Sequence, residues 1–405
     1  MPTLVSRTFL TTVILAFLGV MFVGAVAQAQ DQAQDQAQTQ AQNQAQPQPQ
    51  APSFQEQLAG WIERLEAEAV RLEGEPARAT TRIGSGGSLK PGAEGERVGR
   101  LSRRLVELGL LPDDGRQTSV FGAEVEAAVR VFQASQGLRP DGIVGAQTRA
   151  GLDRTPAETA AALRRSALAM RQIHALAPVD VVLVNLPSQT VALVRKGQVQ
   201  LTMRAVVGRP ERETPLLNDA ITHIIVNPTW TVPPTVLKAD KLPILRKTGT
   251  PGIDYAAVYL DGEMVIPETV DWSAVTPNRV RIVQAPGDHN ALGRFRFNLT
   301  NSQSIYLHGT NDPQVFSRDS RTVSSGCVRL EDARAMAETL LADIGVMPAR
   351  IDALLATGAP QWFKLARPVP VRFVYWEATV EREGRIVLHR DIYGLVGEAA
   401  ATPTI

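Results

Sequence analysis

Cysteine is almost absent from this sequence, since Cys327 is the only one among 405 residues. A single thiol excludes an intramolecular disulfide and a zinc site built from several cysteines. Histidine is also scarce, with five residues, and no cluster of His, Asp and Glu has the spacing of metal ligands. We therefore expect no metal and no cofactor, and Cys327 requires an explanation of its own.

An excess of charge of either sign is missing as well. The 42 Lys and Arg residues balance 41 Asp and Glu residues, which leaves a formal net charge of +1. Binding of nucleic-acid phosphates needs a concentrated basic excess, so nucleic acid is not expected as a partner. What is present is ordinary globular material, 44% hydrophobic and 20% charged, and its length predicts two or three domains.

The N-terminal segment has the pattern of an export signal. Arg7 supplies a positive charge, an apolar run covers residues 9–26, and small residues allow cleavage after Ala27 or Ala29. We therefore expect residues 1–29 to be a signal peptide and the mature chain to function outside the cytoplasm. The apolar run approaches the length of a membrane-spanning helix, so an uncleaved anchor in the inner membrane is the alternative.

The composition of the following segments predicts tethers and helices. Residues 30–52 repeat Gln and Ala and predict a solvated tether. Residues 53–78 have apolar side chains at helical spacing and predict an amphipathic helix that needs a partner. Residues 79–96, which contain Gly-Ser-Gly-Gly-Ser, predict a flexible linker, and residues 156–178 predict a connecting helix.

Residues 97–155 have the pattern of a small helical unit. Two apolar helical faces are followed by a Gly-rich loop at residues 141–145 and a short third helix. A helical spacer without a ligand is one interpretation, because packed helices of this kind look alike. The other follows from a resemblance to the three-helix peptidoglycan-binding module of cell-wall enzymes, carried by residues 101–109, 121–122, 128–133 and 137–145.

From residue 179 the hydrophobic period becomes alternating. Short β-branched runs between turn residues predict a β-rich domain over residues 179–366. The pattern breaks into a polar, proline-rich stretch at about residues 233–272, which we interpret as an irregular excursion that covers a cleft. Residues 367–405 predict a C-terminal hairpin around Gly384 and a tail. The predicted fold class is multidomain α+β.

The most informative local pattern combines His308-Gly309 with residues 324–329, Ser-Ser-Gly-Cys-Val-Arg. A thiol acts as a nucleophile in its thiolate form, and a nearby imidazole and guanidinium lower its pKa. His308 and Arg329 are the candidates for these groups. The glycine before Cys327 allows close approach of the backbone, so that N–H groups can face a developing oxyanion.

These residues resemble the catalytic signature of the L,D-transpeptidase (YkuD) domain. The resemblance extends from about residue 180 to residue 393, and segments 227–234 and 291–297 are similar to the large Gram-negative branch, which carries a peptidoglycan-binding module and a lid. Ser325 stands where many members have a second histidine, although serine is also common there. The resemblance implies a β-rich YkuD-like catalytic domain with a lid insertion, located in the periplasm.

The resemblance also implies a reaction. Cys327 attacks a peptide carbonyl on the third residue of a tetrapeptide stem and expels D-alanine, and the amine of a neighbouring stem converts the thioester into a 3–3 cross-link. His308 is the implied base and then acid, oriented by the Gly309 carbonyl. The implied oxyanion and substrate-binding residues are Gly326 with the Cys327 amide, Tyr306, Arg329, Ser325 and Trp230.

Two other functions remain open. Water can replace the amine in the second step, which would make the protein an L,D-carboxypeptidase or an endopeptidase on the same scaffold. A wall-binding protein without catalysis would use the β-rich domain for binding alone. The family resemblance further implies that peptidoglycan stem peptides and glycan strands are the partners, and that carbapenems acylate Cys327.

Overall fold

The structure is a computed structural model that describes residues 51–75, 80–113, 118–381 and 384–395. The predicted signal peptide, nearly all of the predicted Gln and Ala tether and the end of the predicted tail lie outside the described residues. From Ser53 onward the chain is one compact unit. Within the described ranges, no helix is both long enough and apolar enough to cross a membrane.

Helices precede residue 180 in the described chain and strands predominate after it, which confirms the predicted α+β class. The α-helices are α1 (Phe54–Glu73), α2 (Glu96–Glu107), α3 (Ala123–Ser135), α4 (Ala146–Leu152), α5 (Pro156–Ala175), α6 (Pro234–Val236), α7 (Leu242–Thr248), α8 (Ala333–Leu341) and α9 (Pro348–Thr357). The strands are β1 (Val181–Asn185), β2 (Thr190–Arg195), β3 (Gln198–Gly208), β4 (Asn218–Val226), β5 (Trp230–Thr231), β6 (Ala256–Leu260), β7 (Glu263–Val265), β8 (Val280–Gln284), β9 (Phe295–Asn298), β10 (Leu307–His308), β11 (Thr322–Ser324), β12 (Val328–Leu330), β13 (Gln361–Val374), β14 (Ala378–Val380) and β15 (Ile386–Leu388).

The amphipathic helix α1 packs against α5. Each helix begins with a capping box, formed by Ser53 and Glu56 in α1 and by Thr155 and Glu158 in α5. The apolar faces of both helices also cover one face of the β-rich domain, so α5 is part of a core rather than a bare connection. This core includes Phe54, Leu58, Ile62, Leu65, Leu163, Met170, Val374 and Trp376.

Helices α2, α3 and α4 share a core that also includes the segment before them. Ile83 and Leu89 are buried in it, and Leu89 forms a β-bridge with Val144. The prediction of a flexible linker over residues 79–96 is therefore wrong for the described part of that segment. Burial of an aliphatic side chain stabilises a fold by about 1.5–3 kcal/mol, which outweighs the local preference of the Gly and Ser residues.

The main sheet has nine strands in the order β11-β3-β12-β10-β9-β4-β13-β1-β2, and it closes on itself because β2 also pairs with β3. Most neighbouring strands are antiparallel, whereas the pairs β1–β13, β10–β12 and β3–β11 are parallel. Alternate residues of the strands point to one face. They bury a shared apolar core to which α8 and α9 also contribute.

Strand β13 corrects the predicted end of the β-rich domain. It pairs with β4 and β1 within the main sheet and crosses the predicted boundary between residues 366 and 367. Its register shifts between Lys364 and Val369, around Pro368, whose nitrogen has no hydrogen to donate to the ladder. The predicted hairpin follows, formed by β14 and β15.

The predicted lid is regular rather than irregular. Helices α6 and α7, joined by the π-helical turn Leu237–Lys241, pack against a separate antiparallel sheet in the order β5-β8-β6-β7. Strand β7 has three residues and little burial, so it shows no alternation of apolar and polar residues that would predict a strand. The core of this insertion includes Val232, Leu237, Leu242, Leu245, Val258, Trp272 and Ile282.

Candidate active site

Strand register places His308 between two guanidinium groups. Strand β10 lies between β9 and β12, so His308 is opposite Arg296 on one side and Arg329 on the other. Leu307, the residue before His308, points into the apolar core. Because side chains alternate along a strand, the three polar residues form a row on the other face of the sheet.

Cys327 lies on that same polar face. Val328, which follows it, is buried in the core, and the Val328 N–H donates to the Tyr306 carbonyl at 3.2 Å. This pairing sets Cys327 beside Tyr306 and diagonal to His308. The Sγ atom lies 3.6 Å from the Ser304 carbonyl oxygen, and the Tyr306 hydroxyl and N–H also face it.

A turn of small residues holds Cys327 at the start of β12. Gly326 has a φ of +114°, and a Cβ atom there would lie 3.1 Å from Ile305, so other residues would be strained. The Ser324 hydroxyl donates to the Cys327 carbonyl at 2.6 Å and accepts the Gly326 N–H at 3.1 Å. These contacts fix the backbone on both sides of the thiol.

Sequence analysis missed Thr214, which holds this turn from the other side. Its buried hydroxyl donates to the Gly326 carbonyl at 2.7 Å and accepts the Gly208 N–H at 2.8 Å. Its N–H donates to the Tyr393 hydroxyl at 3.2 Å. No local signal marks Thr214, because Gly326 and Tyr393 are 112 and 179 residues away along the chain.

The electrostatics of the thiol differ from the sequence-based expectation. Burial raises the pKa of the Cys327 thiol above its ordinary value, and this effect exceeds the opposing effects of Tyr306, Arg296 and Arg329. We expected His308 and Arg329 to lower this pKa toward neutrality. That expectation is wrong for the resting site, because removal of water from a thiolate disfavours it more than the nearby positive charges favour it.

His308 is buried and neutral. Burial lowers its pKa to about 3, and the guanidinium groups of Arg329 and Arg296 act in the same direction. The carbonyls of Gly309 and Leu292 favour the charged ring, but their effect is smaller, and Nδ1 has no hydrogen-bond partner among the described residues. A neutral imidazole has one nitrogen free to accept a proton, which is what a base in this cleft requires.

Arg296 is a second site residue that sequence analysis missed. Its guanidinium carbon lies 4.1 Å from the centre of the Tyr306 ring, and that ring centre lies 5.6 Å from the ring centre of His308. Burial raises the pKa of Tyr306, which keeps its hydroxyl protonated beside Trp230. The alternation Arg-Phe-Arg-Phe-Asn over residues 294–298 was the available signal, since it marks a polar face of β9.

These side chains line a cleft of about 450 Å³. The insertion contributes a wall of this cleft through residues 233–236. Gly309 and Gly326 are buried and do not line it. No group of His, Cys, Asp or Glu in the described ranges is arranged to hold a metal ion. The predicted site residues that line the cleft are Trp230, Tyr306, His308, Ser325, Cys327 and Arg329.

Arg212 connects the insertion to the turn that holds Cys327. The Arg212 guanidinium donates two hydrogen bonds to Asp240 of the insertion, at 2.7 and 2.8 Å, and a third to the Ser325 hydroxyl at 3.1 Å. The hydrogen bonds from Arg212 hold the pKa of Asp240 below its usual value. Ser325, which departs from the family pattern, is thus an acceptor in the contact between the insertion and the turn.

Comparison with known proteins finds similarity in two segments of the chain. Residues 179–369 match the family model of the L,D-transpeptidase catalytic domain (YkuD), and residues 94–152 match the model described as "Putative peptidoglycan binding domain". A curated "Putative L,D-transpeptidase" from Haemophilus influenzae is 35% identical over 218 residues, which are 53% of this chain and 44% of that protein. The chain therefore spans less than half the length of this relative.

Solved structures show weaker similarity. L,D-transpeptidase 3 from Mycobacterium tuberculosis is 15% identical with a TM-score of 0.25, over 49% of this chain and 61% of that one. An L,D-transpeptidase from Mycobacterium smegmatis is 12% identical with a TM-score of 0.24, over 48% of this chain and 58% of that one. One chain thus combines a segment that matches the YkuD model of the L,D-transpeptidase catalytic domain, residues 179–369, with a segment that matches the peptidoglycan-binding model, residues 94–152.

Proposed function

We propose that this protein is a peptidoglycan L,D-transpeptidase of the periplasm that forms 3–3 cross-links through a thioester on Cys327. The observation that supports this most strongly is the position of the only thiol in the sequence. It lies in the cleft with His308 and Tyr306, on one face of the sheet and at the end of a turn held by several hydrogen bonds. A buried structural cysteine would not require such a cleft.

In the first step, Sγ of Cys327 attacks the carbonyl carbon at the L-centre of the third, diamino-acid residue of a tetrapeptide stem. The thiol proton moves to His308 as the C–S bond forms. His308 then donates this proton to the nitrogen of the terminal D-alanine, and the C–N bond breaks. The products are free D-alanine, a thioester and a neutral imidazole.

In the second step, the side-chain amine of a neighbouring diamino acid attacks the thioester. His308 accepts a proton from the attacking nitrogen and returns it to Sγ as the C–S bond breaks. Because its pKa is lowered, His308 is neutral near pH 7 and has a nitrogen that can accept a proton, and its protonated form is the acid for the leaving group. The cycle ends with a 3–3 cross-link and a neutral thiol.

Positive charge and hydrogen-bond donors surround the position of the developing oxyanion. The Cys327 N–H and the Tyr306 hydroxyl are the proposed donors. The guanidinium groups of Arg296 and Arg329 add favourable charge in a cleft where water is partly removed. This arrangement favours the tetrahedral intermediate over the uncharged substrate carbonyl.

The test is incubation of the protein with purified tetrapeptide muropeptides, followed by mass measurement of the products. We expect a cross-linked dimer with loss of one D-alanine. A tripeptide without dimer would indicate a carboxypeptidase, and unchanged substrate with a folded protein would indicate a wall-binding role.

Two variants identify the catalytic groups. Cys327→Ala removes little packing from a turn, so we expect a folded protein without dimer formation. His308→Ala should fold and lose at least about a hundredfold in rate, the usual contribution of a general base. Dimer formation by the Cys327→Ala variant would contradict the assignment of the nucleophile.

A further inference from the structure

A second cleft, of about 440 Å³, lies between the peptidoglycan-binding domain and the catalytic domain. We name it the junction cleft. One wall consists of residues 136–139 and part of α4, and the opposite wall consists of residues 316–321 and the hairpin residues 387–390. It shares no lining residue with the catalytic cleft.

The junction cleft is strongly basic. Six arginines and two carboxylates line it, although the whole chain is nearly neutral. One of the carboxylates, Glu381, is already paired with Arg385. The surplus of guanidinium groups is therefore a local feature. The six arginines are Arg139, Arg154, Arg204, Arg318, Arg321 and Arg390.

Most of these arginines have donors that the protein does not satisfy. Arg204 pairs with Glu331, and Arg321 donates to four backbone carbonyls. By contrast, Arg139, Arg318 and Arg390 have no side-chain hydrogen bond or ion pair among the described residues. Arg390 is half-buried, which makes the lack of a partner more notable than at an exposed position.

Arg154 also has more hydrogen-bond donors than acceptors to receive them. It is half-buried and makes one hydrogen bond, to the His389 carbonyl at 3.1 Å. Burial lowers the pKa of its guanidinium, and the attraction of Glu377 and Glu158 compensates only in part. A negatively charged ligand in the cleft would therefore be favoured by several guanidinium groups at once.

The two walls are tied together across the cleft. The Gln147 side chain donates to the Asp319 carbonyl at 3.0 Å, and Arg385 donates to the Ala134 carbonyl. Gly137 lies so close to the hairpin that a Cβ atom would be 3.3 Å from Val387. The cleft is thus preformed, which reduces the loss of conformational freedom on binding.

We propose that the junction cleft binds carboxylate groups of the peptide part of peptidoglycan, separately from the catalytic cleft. The planar guanidinium group matches a carboxylate with two parallel hydrogen bonds. Tyr and Trp are absent from the lining residues and the ring of Phe316 is buried, so the cleft offers little aromatic surface on which sugar rings could pack. Both observations favour the acidic peptides over the glycan strands. The identity of the polymer rests on the proposed function.

The location of the junction cleft suggests how it assists the reaction. Arg321 lines it and directly precedes β11, whose last residue, Ser324, lines the catalytic cleft. Three residues of strand span about 10 Å. A wall polymer held by one stem peptide in the junction cleft would therefore keep neighbouring stems near Cys327.

The experiment uses the full chain with the double variant Arg139→Gln/Arg390→Gln, which removes one free guanidinium from each wall. Arg350→Gln is the control, because Arg350 is exposed on α9 and does not line the cleft. Co-sedimentation with purified sacculi is measured over a range of salt concentrations. Untreated sacculi are compared with sacculi whose carboxyl groups have been converted to amides.

We expect the double variant to bind untreated sacculi about tenfold more weakly, a change of about 1.4 kcal/mol. Its binding should depend less on salt. The wild-type protein should bind amidated sacculi as weakly as the double variant binds untreated ones. The control should bind like the wild type.

Unchanged binding by the double variant, or equal binding of amidated and untreated sacculi, would overturn the proposal. Displacement of the protein by inorganic phosphate but not by glutarate would define a phosphate site instead and would also overturn it. Turnover of soluble tetrapeptide muropeptides is measured in parallel and should be unchanged in the double variant. Loss of sacculus binding with intact turnover separates this inference from the proposed reaction.

Discussion

Cys327 and His308 are both neutral at rest, so the site does not hold a preformed thiolate–imidazolium pair. Burial raises the pKa of Cys327 and lowers the pKa of His308 to about 3. In the proposed reaction, the proton therefore moves from sulfur to nitrogen during attack on the substrate rather than before it. The raised pKa of the thiol and the lowered pKa of the imidazole distinguish this cleft from sites in which the cysteine is a thiolate before the substrate binds.

The first prediction concerns the reactivity of this thiol without substrate. Alkylation of Cys327 by iodoacetamide should be slow at pH 7 and should still be rising at pH 9, because the thiolate forms only above the ordinary thiol pKa. Free cysteine under the same conditions is the reference. A rate that reaches its plateau below pH 7 would show an ion pair and contradict the neutral resting state.

The second prediction concerns the reaction of Cys327 with the strained amide of a β-lactam. A carbapenem should acylate Cys327 and give a single adduct in an intact-mass measurement, because Cys327 is the only thiol and its thioester is formed in a partly dehydrated cleft. Ordinary penicillins should react poorly, as the family resemblance implies. Cys327→Ser should lose the adduct or form it far more slowly, and an adduct on a serine of the wild-type protein would be inconsistent with this assignment.

At the scale of elements, the insertion contacts the turn that holds Cys327. Asp240 lies in the π-helical turn between α6 and α7, and Arg212 connects it to Ser325. The contact is stable near neutral pH. Because the pKa of Asp240 is lowered, the ion pair is present above the ordinary carboxyl pKa and is lost as the pH falls through the lowered value.

The third prediction tests this contact. Asp240→Asn should raise the KM for stem peptides several-fold with a smaller change in kcat, because the wall formed by residues 233–236 loses its connection to the turn. Asp261→Asn is the matched control, since Asp261 forms an exposed ion pair with Arg279 in the same insertion. If the two variants had the same KM and kcat, the contact between the insertion and the turn would have no role in substrate binding.

At the scale of the whole molecule, two histidines with lowered pKa values couple stability to pH. The pKa of His308 is lowered to about 3, and burial, with a smaller effect of Arg154, lowers the pKa of His389 to about 4. Both folded values lie below the unfolded value of about 6.5. As the pH falls below about 6.5, the unfolded chain binds protons first, and the free energy of unfolding decreases.

The fourth prediction follows from His389, which hydrogen-bonds to Thr379 at 2.8 Å and has no proposed catalytic role. The melting temperature of the wild-type protein should fall between pH 7 and pH 5. His389→Gln retains a polar group for Thr379 but does not titrate, so its decrease should be smaller. His174→Gln is the control, and a decrease equal to that of the wild type in the His389→Gln variant would contradict the coupling.

The fifth prediction concerns the peptidoglycan-binding domain. Its removal should weaken binding to sacculi more than it slows turnover of soluble stem peptides, because the proposed catalytic residues all lie beyond it. The deletion should remove residues 80–152 rather than 97–152, since Ile83 and Leu89 belong to the core of this domain. Helices α1 and α5 should be kept, because they cover the catalytic domain. Unchanged binding to sacculi would make the domain a spacer.

The sequence by itself determined the features that depend on residue type and local spacing. Cys327 could be proposed as the nucleophile because it is the only thiol, and the motif around it resembles the family whose model residues 179–369 match. Helix α1 could be predicted from its apolar spacing, and Ser53, where the predicted segment starts, is its N-cap, because capping is a contact between residues three apart. The α+β class followed from the change of hydrophobic period near residue 179.

The tertiary structure decided what depends on residues far apart in the chain. Thr214 braces the Gly326 turn, Arg296 and Arg329 flank His308, and Ile83 joins the core of a domain that the Gly and Ser residues around it did not indicate. None of these neighbours is marked by local spacing. The neutral state of Cys327 has the same origin, because a pKa depends on how much water the assembled fold removes from the thiol, and that is set by elements packed from different parts of the sequence.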